Sequence, residues 1–294
     1  MLEAVPNVSE GRDTRVIAAI GDAFERRAAL LDVHSDPDHH RSVFTLVAGE
    51  DEIVDALLRG IAVALELVDL RAHSGAHPRV GVADVVPIVP LAPDRMPEAA
   101  ATALVLSRRT GAELGLPVFR YGEIGDGRRP AFFRRGGLEE LMRRVGSAEL
   151  VPDDGPARID PRSGVVLVGA RPPLIAYNLE LDTDDVAVAR AVAESVRESS
   201  GGMRGLQAIG LERTGSGRVQ VSMNVIDIDN APLHEVVERV RREAARRGVE
   251  VRGGELVGLV PDRVVRASAA AGVALPGVDE SRVLENVLRS RLEE

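Results

Sequence analysis

The sequence predicts an α/β protein of two ferredoxin-like-related subdomains, each a mixed sheet with helices packed on it, with a ligand cleft between them. Three observations predict this. The second half reads β, α, β, β, α, β, and the first half repeats that order with insertions. Hydrophobic residues make up 45% of the chain but aromatics only 2%, so the cores must be Val, Leu, Ile and Ala, which favours α/β layers. A length of 294 residues is enough for two domains.

The elements follow in order. Residues 2–6 are a short apolar run before the polar stretch Asn7-Val8-Ser9-Glu10-Gly11-Arg12. From Asp13, the residues Val16, Ile17, Ile20, Ala23 and Phe24 fall on one helical face. Residues 29–33 read as a buried strand, 34–41 as a polar link, and 42–48 as a second strand. Glu50 and Asp51 open a long helix at its electropositive end, with Ile53, Leu57, Leu58, Ile61 and Leu65 along its stripe. A Gly/Pro/His loop over 71–81 leads into an apolar strand over 82–90, then a helix over 97–114 and a strand over 117–121. Residues 120–135 read as a Gly/Arg-rich loop and 138–145 as a short helix.

The stretch 151–164, dense in Pro and Gly, reads as an irregular lead-in to a domain boundary, with domains expected over 1–173 and 174–294. Strands are expected over 165–170 and 174–181. Thr183 with Asp184 and Asp185 is an N-cap signal for a helix carrying Val186, Ala189, Ala193 and Val196. A hairpin over 206–212 and 218–227 turns at Thr214-Gly215-Ser216-Gly217. A helix over 232–247, a strand region over 249–260 and a terminal helix over 281–292 complete the chain.

Composition excludes several chemistries. With no Cys there is no thiol nucleophile, disulfide or zinc–thiolate site. Every basic residue is Arg, which removes Schiff-base, P-loop and Ser–Lys lysines. A net charge of −9 argues against a nucleic-acid partner. No apolar stretch is long enough to span a membrane, and the N-terminus lacks the pattern of a signal peptide, so a cytoplasmic protein with no membrane partner is expected.

Five of the six His lie in two clusters. His73-Ser74-Gly75-Ala76-His77-Pro78-Arg79 sits on a loop beside a strand, a good place for proton transfer near neutral pH; incidental histidines in a polar loop are the bland alternative. His34-Ser35-Asp36-Pro37-Asp38-His39-His40-Arg41 can ligate a metal, orient a substrate or orient a catalytic His, and its spacing does not choose among these. Arg158 and Arg162 can hold a carboxylate such as a glutamate tail, or simply be solvated.

The order of these segments resembles the glutamate formiminotransferase family, the folate enzymes of histidine breakdown. The agreement runs from Val5-Pro6-Asn7-Val8-Ser9-Glu10-Gly11 through Leu30-Leu31-Asp32-Val33, Asp36-Pro37-Asp38-His39-His40-Arg41-Ser42-Val43, the 73–90 region, Tyr121-Gly122-Glu123 and Gly169-Ala170-Arg171. It continues through Val219-Gln220-Val221-Ser222-Met223-Asn224, Pro232-Leu233-His234 and Leu256-Val257-Gly258-Leu259-Val260-Pro261, and stops near Pro261.

The resemblance implies transfer of the formimino group of N-formimino-L-glutamate to N5 of tetrahydrofolate, with tetrahydrofolate as co-substrate, no metal, and a homodimer. It covers the transferase part only, without a cyclodeaminase domain. It makes His77, directly before Pro78-Arg79, the catalytic residue, oriented by Asp38 or Asp84. Asp38, His39, His40, Arg41, His73, Arg79 and Asp84 become substrate contacts. The folate loop falls on Gly155-Pro156-Ala157-Arg158-Ile159-Asp160-Pro161-Arg162-Ser163-Gly164. Ser74 and Ala76 stand where the family carries a basic residue and a Glu, His40 where Asn is common, and Asp154 where an aromatic is usual. Those departures keep two alternatives open: a same-fold folate enzyme with a changed donor, and a non-catalytic folate-binding protein.

Overall fold

A computed structural model describes residues 1–75, 78–213 and 217–293. The chain divides into two compact units, Met1–Pro173 and Leu174–Glu294.

The first unit runs β1 (Leu2–Ala4), β2 (Asn7–Val8), α1 (Thr14–Glu25), β3 (Ala29–Asp36), β4 (Arg41–Ala48), α2 (Glu50–Leu67), β5 (Ala83–Pro90), α3 (Met96–Leu114), β6 (Val118–Gly122), α4 (Pro130–Arg134), α5 (Gly137–Gly146) and β7 (Val166–Ala170). Its strands form one sheet. β1 and β2 lie end to end between β4 and β5 and run antiparallel to both; β3 flanks β4, and β7 then β6 extend the other side in parallel. β1 and β2 are separated by Val5 and Pro6. Pro87, in the fully buried β5, accepts from the Val5 N–H at that same level. Its missing donor thus falls where the neighbouring ladder is already interrupted, which makes a proline tolerable in a central strand.

The second unit runs β8 (Ile175–Leu181), α6 (Val186–Val196), β9 (Leu206–Arg213), β10 (Arg218–Val225), α7 (Leu233–Ala245), β11 (Val251–Val257), α8 (Asp262–Ala270) and α9 (Leu284–Glu293). Its sheet is antiparallel in the order β11-β8-β10-β9. Counting β1 and β2 as one strand, the first four strands of unit one are ordered β5-(β1/β2)-β4-β3, the same arrangement. Both halves are therefore βαββαβ units, the first enlarged by the segment from α3 to β7.

Local signals explain the helix boundaries. Asp13 caps α1 by accepting from the N–H groups of Arg15 and Val16, and Asp185 caps α6 by accepting from Ala187. Gly115, in the left-handed region at φ 65°, ends α3. The apolar stripes of α1, α2 and α3 cover one face of the first sheet, with Phe24, Phe44, Leu46, Leu57, Ile61, Ile88 and Leu106 at the centre.

Three expectations need correction. Residues 34–36 are strand, not link: Asp36 pairs with Arg41, and the turn is only Pro37–His40. The loop expected over 120–135 contains the end of β6 and the short helix α4. The tail beyond residue 261, left without a role by the sequence, is built into unit two. Tyr177 donates its hydroxyl to Pro276 O at 2.5 Å, Arg282 donates to Gly258 O at 2.7 Å, and Val264 and Val283 are buried.

One glycine tests this packing. Gly60 lies inside α2, where Ala is the better helix former by about 1 kcal/mol. A Cβ there would sit 2.1 Å from the Phe24 ring. Gly60→Ala is expected to destabilise the protein by about 1–3 kcal/mol in urea denaturation through overpacking; a gain in stability would show that the Phe24 contact does not constrain the site.

Candidate active site

The β3–β4 turn is shaped by one carboxylate. Asp36 Oδ1 accepts from the backbone N–H groups of Asp38 at 2.8 Å and His39 at 2.9 Å, while its other oxygen takes the His39 Nδ1. Burial pushes the Asp36 carboxyl up, but these hydrogen bonds outweigh it and hold the group down at about 2. The turn closes with His40 in the left-handed region at φ 50°. That conformation places the His40 ring under the polar stretch after β2. The Gly11 N–H donates to its Nδ1 at 3.1 Å, and Ser42 Oγ donates to Glu10 O at 2.5 Å. A ring that accepts at Nδ1 carries its neutral-state proton on Nε2. Burial holds the His40 pKa below its ordinary value.

His73 stacks against His40, ring centroids 3.9 Å apart, and its Nε2 lies 2.9 Å from His40 O. Arg79 contacts the same ring and donates through Nη2 to His39 O at 2.8 Å. Burial first, then the Arg79 and His40 charges, push His73 down to about 4, so the ring is neutral at physiological pH.

Asp84 is the buried anchor beyond this loop. Its Oδ1 accepts from Val80 N–H at 2.7 Å, and its Oδ2 pairs with Arg134 Nη2; the two side chains are 2% and 14% exposed. Burial, reinforced by the Arg134 charge, pushes the nearby Arg41 down to about 9. Arg79 is held down by burial as well, so guanidinium groups crowd one carboxylate. On the sheet face away from α1–α3, burial also pushes Glu3 up to about 7 and Tyr121 up to about 12, with Arg171 opposing both.

The segment 155–164 folds against this loop. Val82 N donates to Ser163 O and Val165 N to Val80 O, each at 2.9 Å, and Ile159 is buried with Val80 and Val165. The approach is so close that a Cβ on Gly81 would lie 1.7 Å from Val165 O. Arg162 is occupied, donating to Glu66 O at 3.1 Å, whereas Arg158 is exposed. Asp154 pairs with Arg120 at 2.6 Å and accepts from Ser107; it pins the segment to β6 and α3.

The structure thus brings together Asp38, His39, His40, Arg41, His73, Arg79 and Asp84, and sets residues 155–164 beside them. Ala76 and His77 lie outside the described residues. Among the described residues no group of three or more His, Asp or Glu has the arrangement to hold a metal ion, and no helix is long and apolar enough to cross a membrane. Three participants escaped the sequence reading. Glu10 and Gly11 belong to a stretch that carried the resemblance but was given no site role, and Arg134 is one of several Arg over 128–135. The neighbouring Phe132-Phe133 pair was the available signal, because a buried Phe133 fixes α4 and so aims the next residue.

The formiminotransferase domain, N-terminal subdomain, matches residues 1–171, and the formiminotransferase domain matches residues 176–273. The chain belongs to the formiminotransferase family. The match extends past Pro261, where agreement was expected to stop. The chain is 37% identical to a glutamate formimidoyltransferase of Thermoplasma acidophilum, over 97% of this chain and 96% of that one. It is 35% identical to a glutamate formimidoyltransferase of Streptococcus pyogenes serotype M1, over 98% of each. It is also 37% identical to a formimidoyltransferase-cyclodeaminase of Gallus gallus, over 92% of this chain but 52% of that longer protein.

The half-buried, neutral His73 has a measurable consequence. Its pKa is about 4 in the folded protein against 6.5 for the free group. Between those values the unfolded chain binds the extra proton, so the His73 contribution to stability is present above about 6.5 and lost as pH falls through the window to about 4. Compared with His73→Gln in urea denaturation, the wild type should lose more stability between pH 7 and pH 4.5. Parallel pH dependence of the two proteins would contradict a half-buried ring held neutral.

Proposed function

We propose that this protein is a glutamate formimidoyltransferase that moves the formimino group of N-formimino-L-glutamate to N5 of tetrahydrofolate. The observation that carries this reading is the 37% identity, over nearly the whole of both chains, to a protein of that name. The loop from His73 to Arg79 and the 155–164 segment lying together on one unit support it.

The chemistry is an amidine exchange. N5 attacks the amidine carbon, the N5–C bond forms, and the bond from that carbon to the glutamate nitrogen breaks. The N5 proton ends on the departing amine, giving 5-formiminotetrahydrofolate and glutamate. His77 takes the proton from N5 and returns it to the leaving nitrogen. His73 does not compete for it, because a ring held near 4 is a poor base at neutral pH. Asp84 orients the end of the loop through the Val80 N–H. Arg41 and Arg79 meet the donor, and residues 155–164 contact folate; with Arg162 occupied, Arg158 is the Arg there that reaches a glutamate tail. Holding both substrates side by side removes much of the entropic barrier. The protein works as a cytoplasmic homodimer, with tetrahydrofolate as co-substrate and no metal.

Ser74 and Ala76 favour one second reading, a changed one-carbon donor on the same acceptor. Incubation of the purified protein with tetrahydrofolate and N-formimino-L-glutamate should form 5-formiminotetrahydrofolate, and His77→Ala should lower kcat by about 10²–10⁴-fold. Intact folate binding with no turnover would reject this donor, and turnover unchanged in the variant would reject His77 as the base.

A further inference from the structure

His40 holds the β3–β4 turn in the left-handed region at φ 50°, a conformation that Gly or Asn adopts with less strain. Strain kept at a residue with a large side chain points to a task for that side chain. The ring has two engagements. Its Nδ1 accepts from the Gly11 N–H at 3.1 Å, which an amide oxygen would do equally well. Its face stacks on His73, with centroids 3.9 Å apart and planes inclined by 32°, and only an aromatic ring provides that. The stack is what the imidazole adds to the turn.

The backbone completes the contact. His73 Nε2 donates to His40 O at 2.9 Å, which fixes the neutral-state proton on Nε2 and turns Nδ1 to Arg79 Nη1. Burial lowers the pKa of both rings, so the stack is between uncharged imidazoles at physiological pH. Gly75 passes so close to the turn that a Cβ on it would lie 2.5 Å from His39 O and 2.9 Å from the His40 Cβ. A ring stack, a hydrogen bond and a glycine contact thus seat residues 73–75 on the turn. The chain reaches His77 two residues after Gly75, and Asp84 fixes Val80 three residues beyond. Fixing both flanks narrows the positions open to the proposed base.

We propose that His40 and His73 are positioning residues for the transfer rather than contacts to the donor: their stack docks residues 73–75 on the β3–β4 turn and so holds the loop that carries the base. The role in transfer rests on the transferase reading above; the docking itself does not.

The test removes the ring and keeps the turn. His40→Asn retains a residue suited to the left-handed region and an oxygen for the Gly11 N–H, but has nothing to stack on His73. Hydrogen exchange read by mass spectrometry without substrate should be at least about fivefold faster over residues 70–75, where the His73 N–H is bonded to Leu70 O, and within about twofold of wild type over residues 9–12. In the transfer assay kcat should fall at least about tenfold, with KM for N-formimino-L-glutamate and for tetrahydrofolate within about twofold. Gly75→Ala lifts the loop from its own side with both rings in place and should give the same pattern; it replaces His40→Asn if that variant does not fold. Unchanged exchange over 70–75 overturns the docking, whatever the activity. Faster exchange with unchanged kcat overturns the positioning role, and a KM that rises at constant kcat assigns the histidines to substrate binding instead. A wild type that transfers nothing while the exchange difference holds rejects the transferase reading and supports the docking.

Discussion

The carboxylate of Asp84 holds the candidate site together. It sits at the head of the buried strand β5, accepts from the Val80 N–H, and pairs with Arg134 from a helix some fifty residues later. An isolated buried carboxylate is costly, and pairing offsets that cost only when its lone pairs are also used. Both conditions are met here. The consequence is geometric: the loop that carries His73 and Arg79 has its far end fixed by the same group that fixes Arg134. Imidazoles, guanidinium groups and the 155–164 segment are thus set in one neighbourhood of the first unit.

Around that anchor the backbone is tightly drawn. Gly81 passes so near Val165 that no side chain fits between them. The 155–164 segment is thereby fixed to the start of β5 by backbone hydrogen bonds, leaving its side chains to vary. Asp154, just before that segment, pairs with Arg120 and so ties it to β6. His40 supplies the acceptor for the Gly11 N–H through its ring nitrogen.

Much of the fold was legible because it is written in periodicity. The alternation of Val219, Val221, Met223 and Val225, the stripes of α1 and α2, and the Asp caps are local signals, and their order gave the repeated βαββαβ plan. What was not legible depends on contacts distant in sequence. Residues 34–36 look polar enough to be a link, yet the ladder with Arg41–Val43 carries them as strand. The only local hint that separates Arg134 from Arg129 or Arg135 is the Phe132-Phe133 pair before it, and its meaning depends on the distant packing of Phe133 against Phe119. The tail looked uncommitted because Tyr177 and Pro276, which join it to the sheet, lie 99 residues apart. The histidine clusters were visible as composition, but the stacking of His40 on His73 needed the left-handed turn at His40.

A double-mutant cycle on Asp84→Asn and Arg134→Gln, read as unfolding free energies in urea, tests this account most directly. If the pair is the anchor, each single change leaves a buried group uncompensated, and the double variant is more stable than the sum of the two losses predicts, by at least about 1.5 kcal/mol. Losses that add to within about 0.5 kcal/mol would contradict it, because Asp84 and Arg134 would then be neighbours without being partners.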